Sequence, residues 1–212
     1  MLASCNAIAA PFAVSLGDAR VALDAPPGFA DVQSTGSPRL LELAEALTSA
    51  SNRILLFALE DGDVRRFTVG DDPFLRRYVL IVTPRGMERE RVSTQAFGAF
   101  ASESLRELGK PAAEIIDLRR YLDTQPRERA SMIAELRRDP QVISVLQGVR
   151  LPENPEVRSP PRYLLSTTTL MLVRGRALNA TVYTLYESDA DLQWIRASTG
   201  RWIEELQRLN NR

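Results

Sequence analysis

The last third of the chain sets the tightest limit on its fold. "RYLLSTTTLMLVRGRALNATVYTLYE" holds two long runs of β-branched, aromatic and leucine residues about a turn at Arg174-Gly175-Arg176. Such runs pack well on a pleated, partly buried surface and form strands. "SDADLQWIRASTGRWIEELQRLN" comes next, with Leu192, Ile195, Thr199, Trp202, Leu206 and Leu209 at spacings of three and four. That period predicts one helix of about 20 residues with a single apolar stripe. Ser188 stands where a cap belongs, and Asp189 and Asp191 suit the positive end of the helix dipole. A hairpin followed by a long one-sided helix requires a sheet for that helix to cover. Gly200 lies inside the helix, where glycine costs about 1 kcal/mol relative to alanine. A close crossing over the sheet would account for it.

The segments upstream supply the rest of the sheet. "AVSLGDARVALDAPPGF" predicts a hairpin about Gly17-Asp18, ended by Pro26-Pro27-Gly28. Ser37-Pro38 opens a helix whose apolar face is Leu40, Leu41, Ala44 and Leu47. "NRILLFALE" predicts a buried strand closed by a turn at Asp61-Gly62-Asp63, and "RRYVLIVTPRG" a second one ending at Pro84. Ser93 caps a helix carrying Phe97, Phe100, Ala101, Ser104, Leu105 and Leu108, which Gly109 ends. From Lys110 to about Pro140 the texture turns charged and predicts two short surface helices split near Pro126, with a proline-rich loop "LPENPEVRSPP" beyond. The expected organisation is a flexible tether over 1–12. A single domain over 13–212 comes after it, with a helical and loop insertion at about 110–161. The element order gives an α+β fold, an antiparallel sheet covered by helices in an α/β/α-type sandwich with a long C-terminal helix. The apolar fraction of 44% over 212 residues is enough for one such core.

Composition bears most on chemistry. The chain has no histidine, which excludes Ser-His-Asp and Cys-His machinery, because nothing else accepts a proton near neutral pH in that role. Cys5 is the only cysteine, so zinc sites built on His or several Cys are excluded, as is an internal disulfide. The 27 basic and 27 acidic residues balance, so no nucleic-acid partner is expected. Arg beside aromatics in "VRRF" and "LRRYV" is ordinary flanking of strands rather than a nucleic-acid surface. Asp61-Gly62-Asp63 and Gly70-Asp71-Asp72 bring carboxylates together, but without the further ligands of a calcium loop they are turn residues. No metal or cofactor is expected. Asn179-Ala180-Thr181 matches a glycosylation sequon within a strand, a chance match. No phosphate-binding glycine motif is present. A hydrolase built on two carboxylates needs no histidine, but no pair stands out.

The chain opens "MLASC". Leu2-Ala3-Ser4-Cys5 resembles a bacterial lipobox, which would make Cys5 a lipidation site. Only Met1 precedes it, and lipidation needs a basic and apolar leader. Either that leader lies upstream, or the match is an accident.

"VALDAPPGF", "SNRILLFAL" and "ALNATVYTLYESDADLQWIRASTGRWIEEL" together resemble the PsbP-like fold family, over most of residues 11–108 and 162–210. The resemblance implies a non-catalytic accessory role, with no active-site residues, in a family that includes bacterial envelope lipoproteins. The expectation is therefore a binding or accessory domain of the bacterial envelope, in the periplasm, with a protein partner. It would touch membrane only through a lipid anchor at Cys5. The alternative is a cytoplasmic interaction module, an adaptor or chaperone, and third a carboxylate-based hydrolase.

Overall fold

A computed structural model describes residues 11–112, 115, 117–152 and 160–211. Its strands are β1 (Phe12–Leu16), β2 (Ala19–Leu23), β3 (Phe29–Asp31), β4 (Asn52–Glu60), β5 (Arg77–Pro84), β6 (Ser131–Asp139), β7 (Val142–Arg150), β8 (Tyr163–Val173) and β9 (Arg176–Tyr186). The α-helices are α1 (Pro38–Ala46), α2 (Asp61–Thr68), α3 (Thr94–Leu105), α4 (Leu118–Asp123) and α5 (Asp189–Asn210). Seven strands form one sheet in the order β3-β4-β5-β9-β8-β7-β6, every neighbour antiparallel. The β1–β2 hairpin is a separate two-stranded sheet. The fold is α+β.

The two faces of the large sheet are covered differently. On the first, α5, α4 and the β1–β2 hairpin close a continuous core that runs from Leu16, Val21 and Leu23 through Ile81, Leu165, Met171 and Val182 to Ile195, Trp202 and Leu206. On the second, two clusters stand apart. α3 sits over Ile143, Val145, Leu170 and Leu172 through Phe97, Ala101 and Leu105. α1 covers Phe57, Leu59, Tyr78 and Leu80 through Leu40 and Ala44, with Val64 and Phe67 of α2 packed at the margin.

Four local outcomes differ from expectation. Ser131–Asp139 is a strand, not part of a surface helix. "MIAELRR" favours helix by composition, but pairing with the β-rich "VISVLQGVR" prevails, and an edge strand tolerates charges such as Glu135 and Arg138. Two register shifts in that pairing, at Met132/Ala134 and Glu135/Arg137, absorb the poor match. The described residues of 110–161 thus hold one short helix and two strands of the main sheet. Most of the "LPENPEVRSPP" stretch lies outside the described residues, as do Cys5 and most of the 1–12 tether. Asp61-Gly62-Asp63 opens α2 rather than forming a turn, its two acids in the first helical turn where the dipole favours them. Gly200 is exposed, and a Cβ there would meet nothing within 4 Å, so no close crossing explains it. Leu192 and Leu209 are only half-buried, and the stripe of α5 turns instead through Ser198 and Ile203.

Both long helices start as expected. Ser188 and Asp191 form a capping box, and Ser93 Oγ accepts from Ala96 N at 3.2 Å.

Candidate functional site

The gap between the two clusters on the second face is a cleft of about 290 Å³. One wall is α3 and the turn after it, through Phe100, Ser104, Leu105 and Leu108; the other is Asn52, Val82 and Pro84 at the ends of β4 and β5. The floor is Gln147 of β7, Thr168 and Leu170 of β8, and Ala177 and Asn179 of β9.

Strand alternation builds this floor. On β8, Thr167 reaches Thr199 of α5 on the first face, so Ser166, Thr168 and Leu170 face the second. Register puts Gln147 opposite Ser166, and Leu170 opposite Asn179. The Gln147 amide then donates from Nε2 to Ser166 Oγ and Thr168 Oγ1, both at 3.0 Å. Its Oε1 is buried and has no hydrogen-bond partner among the described residues. Either orientation of the amide leaves one end unpaired, because both hydroxyls engage the same end. Such an end loses its water and gains nothing in return, a cost of about 1–3 kcal/mol. Beyond Asn179, Thr181 Oγ1 donates to Asn179 Oδ1 at 3.3 Å, and Tyr183 stacks on Tyr78 with centroids 4.4 Å apart. Burial pushes both phenol hydroxyls above their ordinary range, so they stay protonated.

Among the described residues, no charged side chain lines the cleft. The hydroxyls of Ser104 and Thr168 have no basic group beside them there, so the lining offers hydrogen bonds and apolar contact. Among the described residues, the carboxyls that burial raises are Asp24, Asp31 and Glu60, and none of them borders the cleft. Among the described residues, no three His, Cys, Asp or Glu gather as metal ligands would.

The residues singled out in sequence scatter. Asp63 is buried at the far edge, where its carboxylate accepts from Phe74 N and Leu75 N at 3.0 Å each. Asp71 pairs with Arg66 and Asp72 with Arg39. Arg76 and Arg77 both reach the buried Asp191, and Arg77 also lies 4.1 Å over the Trp194 ring. Arg66 lies 3.9 Å over Phe74. Of the described motif residues, only Asn179 of the sequon borders the cleft. Gln147 and Thr168 belong to no motif, though both carry a signal. Each is a polar residue within an otherwise apolar strand run, "VISVLQGV" and "YLLSTTTLMLV".

Among the described residues no helix is long and apolar enough to cross a membrane. Comparison with protein-family models, curated proteins and solved structures finds no match.

Proposed function

We propose that the chain is a non-catalytic binding domain of the bacterial cell envelope that holds an uncharged ligand in the cleft above Gln147. One observation carries this: a mostly apolar, charge-free cleft whose floor includes Gln147, an amide with one buried end that has no partner among the described residues. Ligand sites have this composition, an apolar lining with a few convergent polar groups that fix orientation. At about 290 Å³ the cleft suits a small ligand or one apolar side chain of a larger one. The resemblance to the PsbP-like family agrees with an accessory role, and Cys5 would tether the domain to a membrane.

The test is amide NMR of the ¹⁵N-labelled protein titrated with uncharged probes, beginning with N-acetyl-leucinamide and its series of apolar homologues. Shifts confined to Gln147, Thr168, Asn179 and the 100–108 wall, reduced at least tenfold in affinity by Gln147→Leu, support the cleft. Binding that Gln147→Leu leaves intact refutes it. Location is tested separately, by expressing the gene with its native upstream region and fractionating the cells. Membrane association lost on Cys5→Ser supports the tether, and association unchanged by that substitution refutes it.

A second reading has its own observation. Phe74 and Val69 are 69% and 78% exposed, and Asp63 clamps the backbone that presents Phe74. An exposed aromatic on a fixed loop is what a protein-interaction module uses as an anchor. Phe74→Ala would then abolish capture of a partner while leaving the cleft's probes bound.

A further inference from the structure

The end of the molecule opposite the start of β1 gathers the Gly17-Asp18 turn, the 85–92 segment and the Arg174-Gly175 turn. Val92 N donates to Gly175 O at 2.8 Å, which ties the segment to the second turn. A Cβ on Gly17 would sit 3.2 Å from the Arg89 backbone, which ties it to the first. Between the two turns lies Arg176, only 3% exposed.

Arg176 is poorly satisfied. Its Nη2 pairs with Asp18 Oδ1, but Nε and Nη1 are buried and have no partner among the described residues. A buried guanidinium ordinarily has its donors matched, because its charge was taken out of water. Its planar fork fits the paired oxygens of a carboxylate or phosphate. The one acceptor it has is unusual too: the Asp18 side chain is 79% exposed, although its partner is buried. A carboxylate so exposed swings back into water with little loss of burial. Gly17 makes the arrangement tight. It has φ +56°, and an added Cβ would stand 2.9 Å from Arg176 Nη2. Two more arginines border the site. Arg91 lies across Gly175, where a Cβ would meet its Cγ at 3.2 Å, and Arg89 adjoins Gly17. Both side chains are exposed, and no ion pair holds either among the described residues. Glu88, next in sequence, is taken up by Arg53 at 3.1 Å.

We infer that this end is an oxyanion site in which Arg176 supplies buried donors, Arg89 and Arg91 supply flanking charge, and Asp18 is an internal carboxylate that the ligand displaces. The ligand class is a carboxylate or phosphate group, borne by a small molecule or by a lipid headgroup. The site shares no residue with the lining of the uncharged cleft and does not depend on it.

The experiment titrates the intact protein with inorganic phosphate and with succinate, against sodium chloride of equal ionic strength. The readouts are thermal melting and amide shifts at residues 17–18, 89–92 and 175–176. Saturable stabilisation with shifts confined there is the expected result. Asp18→Asn removes the competitor, so affinity rises about tenfold if Asp18 fills the site nine-tenths of the time. The pair Arg89→Ala, Arg91→Ala lies on an exposed segment, leaves the core intact, and should weaken binding at least fivefold. Co-sedimentation with phosphatidylglycerol vesicles separates the sources. Vesicle binding lost in the Arg89, Arg91 variant assigns a headgroup, and small-anion binding without it assigns a soluble ligand. No saturable effect of any of these anions, in the wild type and Asp18→Asn alike, overturns the inference. Anion binding that none of the substitutions changes overturns it as well.

Discussion

Trp202 is the largest apolar side chain that α5 buries against the first face. It is 3% exposed, in mid-stripe on α5 among Thr199, Ile203 and Leu206, and its indole N–H donates to Asp24 O at 2.8 Å across to the end of β2. Trp202→Ala therefore removes two things. Deleting a buried tryptophan costs about 3–5 kcal/mol, counting both transfer and the cavity left behind. The Asp24 carbonyl also loses its donor, about 1 kcal/mol more. We expect a total near 5 kcal/mol, a large part of the ~5–15 kcal/mol that holds a typical domain folded. Trp194 occupies a different setting on the same helix. It is half-buried, its ring centroid 6.2 Å from that of Phe29 and 4.1 Å below Arg77. An aromatic pair contributes about 0.5–1.5 kcal/mol and an exposed cation–π contact about 0.5–1. Trp194→Ala should thus cost about 1–2.5 kcal/mol. Trp202→Phe keeps most of the ring volume but drops the donor, and should cost about 1–2 kcal/mol, far less than the alanine variant at that position. Urea unfolding followed by far-ultraviolet circular dichroism is the assay, since fluorescence would lose its own reporter. Midpoints should rank Trp202→Ala well below Trp194→Ala with similar slopes. The reverse ranking would show that α5 is rotated from the phase described.

Three further outcomes are expected. Gly200→Ala should stabilise the protein by about 0.5–1 kcal/mol, because the site is exposed, helical and open, and a lowered melting midpoint would contradict that. Gly148→Ala should do the opposite by about 1–3 kcal/mol, since its Cβ would meet Leu122 Cδ2 at 2.9 Å, Ile133 Cδ1 at 3.0 Å and Leu165 Cδ2 at 3.1 Å; an unchanged melt would mean the α4 contact yields freely. Burial alone would raise the Asp191 carboxyl, but N–H donors of Glu187 and Ser188 and the Arg77 guanidinium hold it below its ordinary 3.8. Its stabilising effect is thus present above that value and lost as pH falls through the lower folded one. The gap between wild type and Asp191→Asn, about 2–3 kcal/mol at pH 7, should narrow below pH 4 in urea melts. A gap that stays constant down to pH 2.5 would refute the assignment.

The C-terminal hairpin and helix were legible because local and global preferences agree there. β-branched runs, a turn at φ-permissive Gly175 and a capped 3.6 period all point one way. The stretch at 131–139 was not, because "MIAELRR" is helical by propensity. Only its partner β7, and its place at the sheet edge, make it a strand. Asp61-Gly62-Asp63 misled for a related reason. Asp is as suited to the first turn of a helix as to a reverse turn, and the residues downstream of it decide between them. The cleft was illegible as a site. Gln147, Thr168 and Asn179 belong to three strands, and only register brings them together.

Strand β8 shows why that cleft differs from an ordinary imperfection of packing. Its Ser166–Thr169 run sends polar groups to both faces. Beneath α5, where the sheet is covered, each such group finds a partner: Thr169 with Ser144 at 2.8 Å and Thr167 with Thr199 at 3.0 Å. These are neutral pairs within one core, and they leave nothing for a ligand to satisfy. On the opposite face the hydroxyls of Ser166 and Thr168 both turn to one amide, and the far end of that amide has no partner among the described residues. A sequence under pressure only to fold would close this gap with an apolar side chain at 147, since Val145 and Ile143 on the same face of β7 are apolar and covered by α3. The polar residue stands instead in the floor of the cleft that Phe100 and Leu108 help to wall. The unpaired group and the cleft belong to the same residue, and that coincidence is what the Gln147→Leu titration tests. If Gln147→Leu leaves probe binding intact while raising stability, the amide is a packing flaw. If it raises stability and abolishes binding, the protein gives up stability there in order to hold a ligand.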